Sequence, residues 1–138
     1  MASFLTEEET ILYLNSRTNS IAYDAGTSEV VFFTVPPTKA GDDGTELAGG
    51  GYARVIVPFG TATAGSSGRT GQVANDAAIS IENMPVAWDD VVGWALAVGE
   101  TGRIWFVNDS WTPDEEFAVG GTMNVAAGSL VIYGTSAA

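Results

Sequence analysis

The chain has 138 residues, with 17 acidic side chains against 5 basic ones, a formal charge of −12, and neither cysteine nor histidine. Such a length supports one hydrophobic core, and the missing residue types exclude disulfides, thiol nucleophiles, cysteine-type zinc sites and the commonest general base. A surface of this sign repels phosphate backbones and anionic lipid, and no segment nears the roughly 20 apolar residues of a membrane span, so neither nucleic acid nor membrane is an expected partner.

In chain order, the first expected element is a helix from Thr6 to about Ser16. Thr6-Glu-Glu-Glu9 reads as a capping box, with the Thr6 hydroxyl on the Glu9 N–H and the Glu9 carboxylate reaching back to the cap, and the acidic triplet suits the positive end of the helix dipole. Phe4, Leu5, Ile11, Leu12 and Leu14 form an apolar stripe. So short a helix needs a docking surface, either its own sheet or a neighbouring subunit. The first residues lack a basic leader region and Glu7 to Glu9 interrupt any apolar run, so no secretory signal is expected.

β-type segments follow. Val30-Val-Phe-Phe-Thr-Val35 is β-branched and aromatic and ends at Pro36-Pro37, which cannot donate to a ladder. The glycine turn at Gly49-Gly-Gly51 releases into an expected strand from Tyr52 to Val57, with Ala53, Val55, Val57 and Phe59 on one face and Tyr52, Arg54 and Ile56 on the other. Residues 61–71 are small and polar and read as a mobile surface loop. Ala77 to Glu82 alternates Ile79 and Ile81 against Ser80 and Glu82, the pattern of a half-solvated strand. Residues 91–98 set bulky Val92, Trp94, Leu96 and Val98 against small Gly93, Ala95 and Ala97, which implies that both faces are covered. Through Glu100-Thr-Gly102 this run should pair with Arg103-Ile-Trp-Phe-Val-Asn108 as a central hairpin. Short strands at Thr122 to Val125 and Ser129 to Tyr133 close the chain, and residues 134–138 should fray.

The expectation is therefore an all-β domain, a β-sandwich or jelly-roll-like fold of about seven short strands with one short N-terminal helix. It is one structural domain over residues 1–138, with residues 1–20 as a helical attachment segment and residues 21–134 as the β domain.

Candidate chemistry is sparse. Asp89, Asp90, Asp109 and Asp114-Glu-Glu116, beside Trp88, Trp105 and Trp111, have the residue types of a glycosidase, yet nothing singles out one acid with a raised pKa, and acids there ordinarily cap turns and strand ends. Gly41-Asp-Asp-Gly-Thr-Glu46 offers oxygen ligands for Ca²⁺ but lacks the ligand ladder of an EF-hand loop and reads as a turn. The glycine triplet is not followed by Gly-Lys-Ser/Thr and does not open a helix, so it is no phosphate loop. Trp94 and Trp105 fall in strands and read as core. Trp88 and Trp111 sit in acid-flanked turns, where they either cap the core or contact a glycan or subunit. Arg54, on an otherwise apolar strand, should pair with an acid across the sheet or across a subunit boundary.

Taken in order, the Val30 to Thr34 strand ending at Pro36-Pro-Thr38, then Gly44-Thr-Glu-Leu-Ala-Gly-Gly-Gly-Tyr-Ala-Arg54, Asn75-Asp-Ala-Ala-Ile-Ser-Ile81, Trp88-x-x-Val-Val-Gly-Trp94 and Ala127-Gly-Ser-Leu-Val-Ile132 resemble a family of small tailed-bacteriophage virion proteins usually labelled tail fibre or minor tail proteins. The chain departs from that pattern in Ala95-Leu-Ala-Val98 and in an insertion-like Asp109 to Glu116. The resemblance implies a non-enzymatic virion component, assembled in the host cytoplasm, without catalytic or metal residues and without cofactor. Its expected partners are copies of itself, as a trimer, and other virion proteins of the tail or the major capsid. Phe4, Leu5, Ile11, Leu12 and Leu14 are the expected attachment residues, and Tyr52 and Arg54 the expected subunit contacts. The alternative is a carbohydrate-binding adhesion module that recognises host envelope glycans through Trp88 and Trp111.

Overall fold

The computed structural model describes residues 3–19, 27–40, 43–64 and 71–133. Among them the sheet element of greatest extent has five strands: β1 (Ser3–Leu5), β2 (Ser28–Val35), β3 (Thr45–Glu46), β6 (Gly93–Val98) and β7 (Ile104–Asn108), in the order β1-β7-β6-β2-β3 with every pairing antiparallel. Two ribbons add to it, β4 (Gln72–Ala74) with β9 (Val131–Tyr133) and β5 (Ile79–Ile81) with β8 (Met123–Val125). The one helix among the described residues longer than a single turn is α1 (Glu7–Asn19). The all-β expectation holds, with nine short strands in place of about seven.

The period-two alternation of β2 and β6 divides the apolar side chains between two faces. Val30, Phe32, Trp94, Leu96 and Phe106 point to one side, where Ile79, Ile81, Met123, Val125 and Leu130 meet them in the main core. Val31, Phe33, Ala95, Ala97 and Val107 point to the other, with Phe4 packed against them. Every residue of β6 is buried, as its bulky-and-small alternation implies. Gly93 must be small, because a Cβ there would lie 2.6 Å from the Asn108 carbonyl oxygen. The expected central hairpin is present as β6 and β7, closed by Gly102 at φ +74°.

Three expectations need correction. Residues 52–57 do not form a strand; Val55 alone makes a bridge, to Val30, because β3 already occupies the other half of the outer edge of β2. Phe4 and Leu5 belong to no helical stripe, since they form β1 on the outer edge of β7. The helix runs to Asn19, past the expected end near Ser16. The final two strands follow each other closely in sequence yet pair with β5 and β4 instead of with each other. The loop expected at residues 61–71 lies partly outside the described residues, which include a Thr63–Gln72 bridge, and the fraying expected at 134–138 lies wholly outside them.

Asn75 ties the ribbons together. It is 2 % exposed, its amide Nδ2 donates to the carbonyls of Ala77 (2.8 Å) and Ala126 (3.1 Å), and its Oδ1 accepts the Leu130 N–H (2.9 Å). Its backbone N–H donates to Leu130 and its carbonyl accepts from Gly128. The residue thus spends its whole hydrogen-bonding capacity on joining the chain before β5 to the loop before β9. Replacement by Ala leaves the buried Leu130 N–H and the Ala77 carbonyl short of this partner, while the Ala126 carbonyl keeps the Ser129 N–H. Asn75→Ala is expected to lose about 2–3 kcal/mol of stability in urea unfolding, with Asn75→Asp no better because a carboxylate cannot donate to the two carbonyls; a loss below about 0.5 kcal/mol would show that water replaces the side chain freely.

Candidate assembly surface

The helix is fixed to the sheet by its first turn, through polar groups. Thr6, 1 % exposed, donates its hydroxyl to the Ile104 carbonyl (3.0 Å) and accepts the Glu9 N–H at 3.4 Å. Half of the expected capping box is therefore formed. The other half is not, because the Thr6 N–H donates to the Trp105 carbonyl and the Glu9 carboxylate, almost fully buried, accepts from Arg103 Nη1 at 2.9 Å instead. A third tie runs from the Glu7 N–H to the Lys39 carbonyl.

Past that turn the usual arrangement of an amphipathic helix is inverted. Ile11, Leu12, Tyr13 and Leu14 are 40–59 % exposed, and Leu5 just ahead of the helix is exposed as well. Four consecutive helical residues point in all directions around the axis, so the second turn stands clear of the body. Own-sheet docking of the stripe is thereby corrected: the sheet takes the polar Thr6 and Glu9, and the apolar residues are left outward. Phe4 is the exception among the expected attachment residues, being half-buried against Val31 and its neighbours.

Tyr52 and Arg54 converge on one acid. Arg54 Nη2 donates to Glu46 Oε1 at 2.8 Å, its Nε lies 3.1 and 3.3 Å from the two Glu46 oxygens, and the Tyr52 hydroxyl donates to Glu46 Oε2 at 2.7 Å. The expected pairing of Arg54 with an acid is made within the chain. The cluster closes a gap in a ladder. On its outer edge β2 exchanges both backbone bonds between Val30 and Val55, and Phe32 accepts at its carbonyl from Leu47 N–H. The Phe32 N–H, left between β3 and Val55, donates to the Tyr52 hydroxyl at 3.2 Å. Buried backbone donors need a partner, and here a phenol stands in for a strand. The glycine triplet makes this reachable: Gly49 and Gly50 have positive φ, and a Cβ on Gly51 would lie 2.1 Å from the Glu82 carbonyl oxygen.

Electrostatics follow from this packing. Burial pushes the Glu46 carboxyl up, but the hydrogen bonds from Arg54 and Tyr52 and the guanidinium charge outweigh it, so the group is held below its ordinary value. Burial and then the Glu46 hydrogen bond push the Tyr52 hydroxyl up. Asp43 is lowered by the Thr38 N–H and hydroxyl, which it accepts at 2.7 to 2.9 Å. That spends one acid of the calcium-like loop, whose Gly41 and Asp42 lie outside the described residues.

Trp88 and Trp111 meet the same loop. Trp88 Nε1 donates to the Pro113 carbonyl and its N–H to the Phe117 carbonyl, while the Trp111 ring lies 5.6 Å from that of Phe32. Both are half-buried, so the acid-rich segment 109–117 folds back as a lid on the core. Among the described residues no three Asp or Glu side chains gather as a metal site would require, and no helix is long and apolar enough to cross a membrane. Sequence reasoning gave Glu9 a role in a capping box and assigned none of these bonds to Arg103, Glu46 or Asn75. The Thr6-x-x-Glu9 spacing placed the Glu9 N–H correctly but assigned its carboxylate to the cap, where the structure has it on Arg103.

Among the described residues Glu8, Glu9 and Glu46 enter ion pairs, Asp43 closes a turn, and the apolar residues Ile11 to Leu14 face outward. The model of the family described as podophage GP4 fiber I protein gp80 matches residues 8–133, and the chain belongs to that family of bacteriophage fibre proteins. It is thus a tail-fibre-type component of the virion. No curated protein and no solved structure matches it significantly.

Two measurements test the Glu46 cluster. Tyr52→Phe leaves the Phe32 N–H unpaired and is expected to cost about 1–2 kcal/mol. Since the folded pKa of Glu46 is lowered, its contribution is complete above the ordinary carboxylate range and is lost as pH falls through and below it; since that of Tyr52 is raised, its contribution is complete below about pH 10 and is lost above. The stability difference between the native chain and Glu46→Gln should therefore shrink on acidification, and a difference independent of pH between 3 and 7, to take an approximate window about the carboxylate pKa, would refute the assignment.

Proposed function

We propose that this chain is a non-enzymatic, surface-exposed accessory subunit of the phage particle, of fibre, minor-tail or capsid-decoration type, which forms a homo-oligomer and docks through α1. The observation that supports this reading is the inverted helix: polar Thr6 and Glu9 inside, Ile11, Leu12, Tyr13 and Leu14 outside. Water around four large apolar side chains on so short a helix is costly. Covering a Leu or Ile gains about 1.5–3 kcal/mol, enough for a few such residues to supply a docking energy that repetition around a symmetric particle multiplies.

The oligomer is proposed to be a trimer, with Leu5 and α1 at its attachment end; Tyr52 and Arg54, the expected subunit contacts, are engaged with Glu46 inside each copy. A formal charge of −12 on each copy opposes that association at long range and is screened by salt. Trp88 and Trp111 give the glycan reading little support, since both indoles are already engaged with the core lid.

Replacing Leu12 and Leu14 together by Asp removes the docking surface without touching any buried residue. The double variant should keep the native melting temperature and fail to enter particles when it replaces the native chain in an infection. Normal incorporation would overturn the docking proposal. In light scattering the native chain should give three times its 14.3 kDa mass, with the assembled fraction rising as salt is raised.

A further inference from the structure

The turn that brings Tyr52 to β2 leaves a second feature behind it. Residues 51–56 and 80–83 touch at one end, where the Gly51 N–H donates to the Asn83 carbonyl at 2.8 Å, and a groove of about 760 Å³ runs between them from that point. Its floor is apolar: Ile81 is buried in the main core, and Val55 packs against it. Arg54, Ile56, Ser80 and Glu82 stand along its upper rim, and Ile56 is 65 % exposed.

One wall is an extended segment bridged to β2 through Val55 alone, and the other is the free edge of β5. Val55 exchanges both its backbone bonds with Val30. In an antiparallel pair the residues on either side of such a bonded residue turn their N–H and C=O groups the opposite way. Arg54 and Ile56 therefore present theirs to the groove, and among the described residues neither is paired with another backbone group. Across the groove, β5 has one strand partner, β8. The volume exceeds an ion or water site many times over, since a water occupies about 30 Å³. Unpaired backbone on two sides over an apolar floor recognises one chemistry, an extended polypeptide that adds a strand.

We infer that this groove takes an extended segment of another protein in which Val or Ile alternates with Lys or Arg. The apolar residues would face Val55 and Ile81, and the backbone would pair with Arg54 and Ile56 on one side and β5 on the other. The sign of the occupant follows from charge. Glu46 cancels the one guanidinium on the rim, which leaves Glu82 without an ion pair among the described residues. A second copy would bring another −12 body against that acid, whereas a Lys or Arg on the inserted strand meets it.

The test uses the isolated full chain and three eight-residue peptides with blocked ends: alternating Val and Lys, alternating Val and Glu, and the Val–Lys peptide N-methylated on alternate residues. Amide exchange followed by NMR should slow by about tenfold or more at Arg54 and Ile56 with the first peptide only. Glu82→Lys should keep the native melting temperature, since Glu82 is exposed, and weaken that peptide by about tenfold or more. Equal binding of the N-methylated peptide would reduce the effect to non-specific charge attraction and overturn the proposal, as would binding of the Val–Glu peptide. Protection of the same two amides in the peptide-free chain, rising with protein concentration, would assign the groove to a second copy. The readout needs no particle, so its failure is separate from that of docking through α1.

Discussion

The ion pair between Glu9 and Arg103, with the Thr6 hydroxyl beside it, decides what the rest of the surface can do. An almost fully buried carboxylate is tolerable only with a charged partner in contact, because an unpaired one would cost several kcal/mol. Arg103 supplies that partner from the turn that joins β6 to β7, so the start of α1 is bound to a hairpin at the centre of the sheet. A helix anchored by its first turn is free to leave the sheet at the second. The exposed Ile11 to Leu14 segment is the consequence of that geometry, and the functional reading rests on it.

A similar economy governs the other side of the molecule. The outer edge of β2 is shared among β3, the Tyr52 hydroxyl and Val55, none of which covers it alone. Tyr52 can serve only if the chain turns sharply just before it and lies against residues 82–83, where glycine alone fits at position 51. Glu46 and Arg54 then fix the ring from its hydroxyl end. The price of this patchwork is that residues 53–57 never become a full strand and keep one backbone edge unpaired.

Those two places also mark where the sequence could be read and where it could not. Alternation identified β5 and β6, whose period of two survives whatever the neighbours are, while β-branched and aromatic composition marked β2 and the turn at Glu100-Thr-Gly102 marked β7. The same alternation over Tyr52 to Val57 misled, since whether an extended segment becomes a strand depends on which edge is vacant, and that is settled by β3, far too short to announce itself. The capping box was legible at Thr6 and the Glu9 N–H, which are local, and illegible at the Glu9 carboxylate, whose partner lies 94 residues away. Phe4 and Leu5 read as helical stripe because apolar residues next to a helix carry no mark of belonging to a sheet edge. Asn75 had no periodic signal, as its work is done by hydrogen bonds to a loop near the other end of the chain.

Charge and shape act at different ranges, and their separation reconciles the acidity of the chain with the docking proposed for it. Residues 10–16 carry no charge, while Glu7 and Glu8 stand at the base of the helix and the body holds most of the remaining acids. Repulsion between bodies falls off over a Debye length, about 8 Å at physiological salt, whereas apolar contact acts only on touching. In the proposed docking the uncharged turns of the helix therefore touch first, while the anionic surfaces stay apart. Had α1 lain with its apolar face on the sheet, as amphipathic helices ordinarily do, contact would have required the bodies to meet. The buried Glu9–Arg103 pair is what prevents that, since it gives the sheet the polar Thr6 and Glu9 of the first turn and leaves Ile11 to Leu14 exposed.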